Sequence, residues 1–376
     1  MHFQQLHLIQ FRNYTEQQLT FSPDINVLTG PNGAGKTNVL DALHYLAFTK
    51  GFRNTQDQQA VQRGAQFFFD GGVLIRENRK RQVHCNYQKG KGKKLLINQE
   101  PLKKMSEHIG YIPMVSILPH DTDLINGPSA GRRQFMDMLI SQYDPMYLQQ
   151  LIQYNRILGQ RNALLRQFGE QRYFDPEQLA LWDMQLIPRG LAIHSGREAF
   201  IERFLPIFEQ YFHHIVSDME MPHIRYKPSV PQATAVGWET ALQEKLERDR
   251  VNQYSGVGVH RDDMGFEIDE RSVRNFGSQG QQKTFIIALK LAQYKLLQEQ
   301  RALAPILLLD DIFDKLDEKR LARIAQMLDE EVQGQIFITD TSQRRMQEIF
   351  AQSQRQVKFF QVKSGEIHSL MEEKES

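Results

Sequence analysis

"NFGSQGQQK", residues 275–283, sets two glycines, a serine and three glutamines directly ahead of the apolar run "TFIIALKLAQYKLL". A helix start of this composition gathers unpaired backbone N–H groups and one hydroxyl at a single point. In isolation it reads as a serine N-cap. The chain already has a glycine-and-hydroxyl helix start about 240 residues earlier, in "GPNGAGKTN". One such start is enough to hold a nucleotide, so the second needs an explanation of its own.

The earlier stretch, Gly30, Pro31, Asn32, Gly33, Ala34, Gly35, Lys36, Thr37 and Asn38, fits the phosphate-loop pattern G-x-x-x-x-G-K-[ST]. A buried strand, "DINVLTG", precedes it. A helix follows, with Val39, Leu40, Leu43, Leu46 and Ala47 at helical spacing. Glycines let successive N–H groups turn onto phosphate oxygens, and the helix start adds its positive end. Lys36 is expected to reach the β- and γ-phosphates of ATP, and the Thr37 hydroxyl to ligate Mg²⁺. "ILLLDD", residues 306–311, is an apolar strand ending in two acids. Asp310 is expected in the Mg²⁺ shell, and Asp311 is expected to orient the attacking water. "DKLD", residues 314–317, stands where a D-loop would.

Phosphate loop, second helix start, acidic strand end and D-loop follow one another in the order of ATP-binding-cassette ATPases. In that class the second start faces the nucleotide of another subunit. Ser278, Gln279 and Gly280 are then expected to cap the γ-phosphate held by a second copy. An isologous homodimer would form on ATP binding and complete both sites at once.

The rest of the chain sets limits. Hydrophobic residues at 40% and charged residues at 24% describe a globular protein. No apolar run approaches the ~18 residues of a membrane span, and the N-terminus lacks signal-peptide character. A single cysteine, Cys85, excludes an intrachain disulfide framework and a cysteine-rich zinc site. These features favour the cytoplasm and no membrane partner. The expected fold is α/β: a P-loop cassette-type ATPase head, with a mixed sheet, flanking helices and a β-rich subdomain, carrying an inserted helical arm. The expected boundaries are 1–120 and 253–376 for the two parts of the head and 121–252 for the arm. Pro145, Pro176, Pro188, Pro206 and Pro222 are expected to interrupt the arm helices and preclude a long heptad seam. Tyr147, Tyr154, Trp182, Phe200, Phe204, Phe208 and Phe212 are expected to pack the arm. "FFFDGGVLI" is read as strand with a Gly-Gly turn or bulge, and "MEEKES" as a frayed tail.

The net charge of +1 conceals a local excess. Residues 76–104 hold ten Lys/Arg against two acids. This segment is either a solvated hairpin with basic turns or a surface for a polyanion. Arg79, Lys80, Arg81, Lys89, Lys91, Lys93 and Lys94 are the candidates for contact with DNA phosphates. Arg132 and Arg133 either face DNA or pair with acids in the core.

"LIQFRNY" with "INVLTGPNGAGKTNVLDALHYLAFTKGFR", then "GPSAGRRQFMD", "HRDDMGF", "SQGQQK" with "IALKLAQ", and "LLLDDIFDKLD" resemble the RecF family, bacterial recombination mediators related to the SMC-type cassette proteins. The resemblance covers most of the chain. It implies an ATP-dependent dimer that binds single-stranded and gapped DNA at junctions. With RecR and RecO it would assist RecA loading, supporting repair, replication and SOS induction. It also implies slow Mg²⁺-dependent ATP turnover that resets a DNA clamp, and it places Arg12 and Asn13 near the nucleotide. Three positions depart from the pattern. No proline precedes His260, Asp340 stands where transporter cassettes have a histidine, and no Q-loop glutamine is evident. The alternatives are another SMC-like ATPase or the nucleotide-binding subunit of a membrane transporter. The second of these calls for a shorter insert and an LSGGQ-type signature.

Overall fold

A computed structural model describes residues 1–52, 56–216, 220–313 and 318–370. The proposed D-loop at 314–317 and the tail 371–376 lie outside the described residues. The chain divides into two compact units, residues 1–121 with 293–376, and residues 122–292.

The first unit contains two six-stranded sheets. It begins with β1 (His2–Phe11), β2 (Tyr14–Thr20), β3 (Ile25–Thr29) and α1 (Lys36–Phe48). β4 (Phe67–Arg76), β5 (Arg79–Gln88), β6 (Gly92–Ile97), β7 (Glu100–Pro101) and β8 (Met114–Ile117) follow. β1 buries Phe3, Leu6, Leu8 and Phe11. The three-residue steps in that series have backbone causes: a bulge between Phe3 and Gln5, and a positive φ at Gln10. The antiparallel sheet runs β2-β1-β4-β5-β6-β7.

The expected Gly-Gly break at 71–72 does not occur, and β4 runs straight through it. Crowding requires glycine at 72, and glycine at 71 leaves room for the Phe69 ring. A Cβ on Gly72 would lie 2.8 Å from the Leu46 and Phe3 side chains, and one on Gly71 would collide with the Phe69 ring.

The second unit holds α2 (Asp123–Asn126), α3 (Ser129–Tyr143), α4 (Pro145–Gln171), α5 (Pro176–Ile215), β9 (Pro222–Lys227) and α6 (Ala235–Asn252). It continues through β10 (Asp263–Ile268), β11 (Arg271–Ser272), α7 (Val273–Phe276) and the start of α8 (Gln279–Arg301). It therefore reaches further along the chain than the expected arm of 121–252. β10 pairs with β9, and Phe285 of α8 packs on Phe208 and Phe212 of α5, which draws residues 253–292 into this core.

The prolines do not interrupt the helices. Pro145 and Pro176 sit at helix starts, behind N-caps Asp144 and Asp175 whose carboxylates accept the first-turn amides. α5 spans 40 residues with Pro188 and Pro206 inside it, a length of ~60 Å. Each interior proline costs about 3 kcal/mol. Against that, Phe200, Phe204, Phe208 and Phe212 are each at most 1% exposed and are stacked or tilted on one another in sequence. Burying one such ring is worth about 2–4 kcal/mol with its aromatic contacts, so the four together outweigh the two breaks.

Two buried arginines tie the unit together. Arg161 donates to Asp183, Asp249 and Ser255. Arg197 donates to Asp137, to Asp262 at 2.7 Å and to the Val259 carbonyl. Arg132 forks onto Asp263 and also donates to the Leu124 and Gly127 carbonyls. Arg133 donates to Ser129 Oγ and the Asp262 carbonyl. Both therefore satisfy the core.

Beside them, Gly258 at φ 125° makes the turn that lacks a proline. It sets His260 between the Tyr154 hydroxyl, 2.8 Å from Nδ1, and the Ser255 carbonyl, 3.0 Å from Nε2. The neutral ring fits this pair, accepting from tyrosine and donating to the carbonyl. Burial is the main cause that pushes its pKa down to about 4, over a smaller upward pull from the Ser255 carbonyl; Arg261, Arg133 and Arg161 lower it further. An imidazole with a depressed folded pKa gives stability that is complete above ~6.5, where the unfolded ring is also neutral, and is lost as pH falls toward 4. Urea unfolding at pH 7.5 and 4.5 should show wild type losing about 2.5 kcal/mol more than His260→Gln.

The chain then returns to the first unit through β12 (Ile306–Asp310), α9 (Glu318–Glu330), β13 (Ile336–Asp340), α10 (Gln343–Phe350), β14 (Val357–Lys363) and β15 (Glu366–Leu370). These complete the mixed sheet β15-β14-β3-β13-β12-β8, parallel except for β15. β3, β12 and β13 are buried at every residue. Being parallel, they bring their carboxyl ends, Thr29, Asp310 and Asp340, to one edge, where open α/β sheets place ligands.

Candidate functional site

The phosphate loop leaves β3 and enters α1 at that edge. Gly35 caps α1 at φ 119°, and a Cβ there would meet Asn13 Nδ2 at 2.6 Å and the Tyr14 hydroxyl at 2.7 Å. Only glycine fits the position. Asn13 Nδ2 donates to the Ala34 carbonyl at 3.0 Å, and the Tyr14 hydroxyl to the Gly35 carbonyl at 2.9 Å. The β1–β2 turn thus holds the loop's carbonyls on its own side. Asn38 closes the arrangement by donating to Asn13 Oδ1 at 2.7 Å. The first turn of α1 has no side-chain cap and no acid of its own, which leaves its amides open to an anion.

Lys36 is 4% exposed, and its ammonium donates to the Gly30 and Pro31 carbonyls at 2.8 and 3.1 Å. It lies across the loop as a polyphosphate ligand requires. Pro31, Asn32 and Gly33 form the exposed tip. Arg12 adopts φ 53° and holds Asp41 through Nε and Nη2 while donating to the Gln59 carbonyl. It braces α1 against the turn.

Thr37 Oγ1 stands 2.8 and 3.1 Å from the two Asp310 carboxylate oxygens. A third oxygen, Thr339 Oγ1, donates to Asp310 at 2.7 Å and accepts from the Asp311 amide at 3.0 Å. Thr339 was not picked out in the sequence. The parallel register that sets it opposite Asp310 is what reveals it. A hydroxyl and one carboxylate at a phosphate-binding edge are hard oxygen donors and fit Mg²⁺, which retains water and phosphate for most of its shell. Asp311 has φ 46°, in the left-handed region that aspartate tolerates better than most side chains, at the point where the strand ends. Asp340 is fully buried, and its carboxylate is taken by the Ser342 amide and by Arg345 at 2.6 Å.

In the second unit Ser278 is an N-cap. Its hydroxyl accepts from the Gln281 amide at 3.2 Å, and its amide donates to Gln281 Oε1 at 2.9 Å. The two bonds form a capping box. Ser278 and Gln279 are exposed and Gly280 is half-buried, so the hydroxyl and the first-turn amides open to solvent.

The basic segment is not one patch. Arg79, Lys80 and Arg81 stand at one end of β5, and Lys89, Lys91 and Lys94 at the other. Ten residues of strand put the groups roughly 30 Å apart. Lys93 pairs with Tyr87 on the inner face, 13% exposed at its side chain. Its ammonium is held by Asp57 at 2.8 Å and by the Thr49 carbonyl. Contrary to the expectation of a DNA contact, the Lys93 ammonium is occupied within the protein.

Comparison with known proteins agrees with this architecture. The family profile described as "RecF/RecN/SMC N terminal domain" matches residues 2–368. A DNA replication and repair protein RecF from Flavobacterium johnsoniae is 42% identical over 362 residues, 96% of this chain and 100% of that protein. Its counterpart from Bacteroides fragilis is 36% identical over the whole of both. Among solved structures, one described as the recombination mediator protein RecF with ATP in the RecFOR pathway superimposes with a TM-score of 0.89 at 26% identity, covering 98% of both chains. An Smc head from Pyrococcus furiosus shares the fold, with a TM-score of 0.58 at 14% identity. On these grounds the chain belongs to the RecF family of the RecF/RecN/SMC ATPase heads.

Proposed function

We propose that this chain is an ATP-switched DNA-binding protein of recombinational repair, whose dimer closes on two nucleotides. The reading is carried by one observation: Thr37 and Asp310 meet at 2.8 Å beneath an uncapped helix start. The loop amides and Lys36 bind the triphosphate, Thr37 and Asp310 hold Mg²⁺, and Asp311 orients water. Mg²⁺, when bound, neutralises charge on the β- and γ-phosphate oxygens. Ser278, Gln279 and Gly280 cap the γ-phosphate of the partner copy, so ATP belongs to the interface. Turnover is slow and resets the dimer. The basic groups at both ends of β5 neutralise DNA phosphates without reading sequence. Within the cytoplasm the dimer binds gapped DNA and works with RecR, RecO and RecA, including in SOS induction. The named relatives and the ATP-bound RecF structure support this reading.

Sedimentation with and without ATP, in the presence of gapped DNA, tests it. Wild type should dimerise with ATP, whereas Ser278→Arg should bind ATP and stay monomeric. Normal dimerisation of the variant would remove the trans-capping role.

A further inference from the structure

The outer face of the antiparallel sheet has a feature that none of these roles uses. Strand register sets Gln18, His7, Gly71, His84 and Leu96 in one row across β2, β1, β4, β5 and β6. Gly71 leaves a dip in the middle of that row, and the Phe69 ring lies in it. The ring atoms Cζ and Cε1 come within 2.6 and 2.7 Å of where a Cβ at 71 would be. The ring is thereby laid along the sheet. It is held between His7, at 5.4 Å and 62°, and His84, at 5.2 Å and 54°. A depression of about 230 Å³ adjoins it, walled by Phe69 and His84 on one side and by β1 and β2 on the other. Phe67, two residues along β4 and so on the same face, is 41% exposed.

We propose that this face is a base-stacking platform for single-stranded nucleic acid, an inference that rests on the DNA-binding reading above. Aromatic rings lying on an open antiparallel sheet are a recurrent device for holding unpaired bases, because every base has a π-face and a duplex offers none from the side. Phe67 and Phe69 are about 7 Å apart along the strand, twice the ~3.4 Å rise of a stacked chain. Adjacent bases would have to separate to occupy both. Charge favours a polyanion: Lys80 and Lys94 share the face, and Glu16 is bonded to His7 at 3.1 Å. Between the lysines, exposed Gln82 offers a neutral donor and acceptor for a base edge. The platform thus lies between the two basic groups at the ends of β5. A single strand running along β5 would meet phosphate contacts at both ends and stacking in the middle.

The test uses the full chain with ATP and compares a short oligothymidylate with a duplex of equal length. Phe67→Ala combined with Phe69→Leu keeps apolar bulk over Gly71 but removes both π-faces. It should bind the single strand about tenfold more weakly and the duplex within about twofold of wild type. Phe69→Tyr should restore single-strand binding, and ultraviolet crosslinking of oligothymidylate should label the β4 peptide in wild type. Unchanged single-strand affinity in the double variant overturns the platform while leaving the DNA-binding reading intact. Wild type that binds neither oligonucleotide overturns both. A thermal melt matching wild type shows that the double variant is folded, and loss of duplex binding in a folded variant also counts against the proposal.

Discussion

Lys36→Ala should lower ATP affinity by about two to three orders of magnitude without unfolding the protein. Removing one charged partner of a desolvated contact costs about 2–5 kcal/mol, and Lys36 combines near-complete burial with a position across the phosphate loop. The fold should survive because the loop is also braced by Asn13, Tyr14 and Asn38. Equilibrium titration with ATP, beside a thermal melt, checks both halves. Affinity within threefold of wild type would mean that the ammonium serves only the Gly30 and Pro31 carbonyls.

Arg197→Ala should destabilise the helical unit by about 3–5 kcal/mol, the cost of leaving a buried charge without its partner. The guanidinium, 1% exposed, joins Asp137 of α3 to Asp262 before β10, and Asp262 is itself 1% exposed. The Tyr226 hydroxyl and Ser229 amide also bond Asp262, so its carboxylate cannot turn away toward water. Arg344, by contrast, pairs with Glu348 at a similar 2.8 Å but is 89% exposed. Its removal should cost well under 1 kcal/mol. Urea unfolding of the two variants side by side checks the contrast, and equal losses would show that burial does not govern these pairs.

The parts of this molecule legible in its sequence are those where local chemistry leaves few choices. A strand, a glycine loop, Lys36 and Thr37 can be assembled in only a few ways, and "ILLLDD" has to end somewhere with its acids. Contacts between distant segments were less accessible. Thr339 serves Asp310 across a strand pairing that no local pattern announces. Arg132 and Arg133 could be assigned to the core only once β10 brought Asp262 and Asp263 to α3. Lys93 was misread for another reason. Side chains alternate along a strand, and the pairing of Lys93 with Tyr87 puts it on the opposite face from Lys94. A charge excess over 29 residues carries no such parity, and the length of β5 keeps its two basic groups apart. The prolines of α5 misled because proline rules describe a helix in water, whereas this one is held by four buried rings.

If Ser278 caps a partner's nucleotide as proposed, the capping box makes a single oxygen answer to two opposing demands. A helix beginning welcomes negative charge, and aspartate or asparagine would start α8 as well as serine does. In the proposed dimer, a partner's terminal phosphoryl group would repel an acid and call for a neutral donor. Serine satisfies both, since its lone pair already receives the Gln281 amide while its proton remains to be given away. Stability alone would therefore leave the choice at this position open among several residues, and the proposed role would exclude the acid among them.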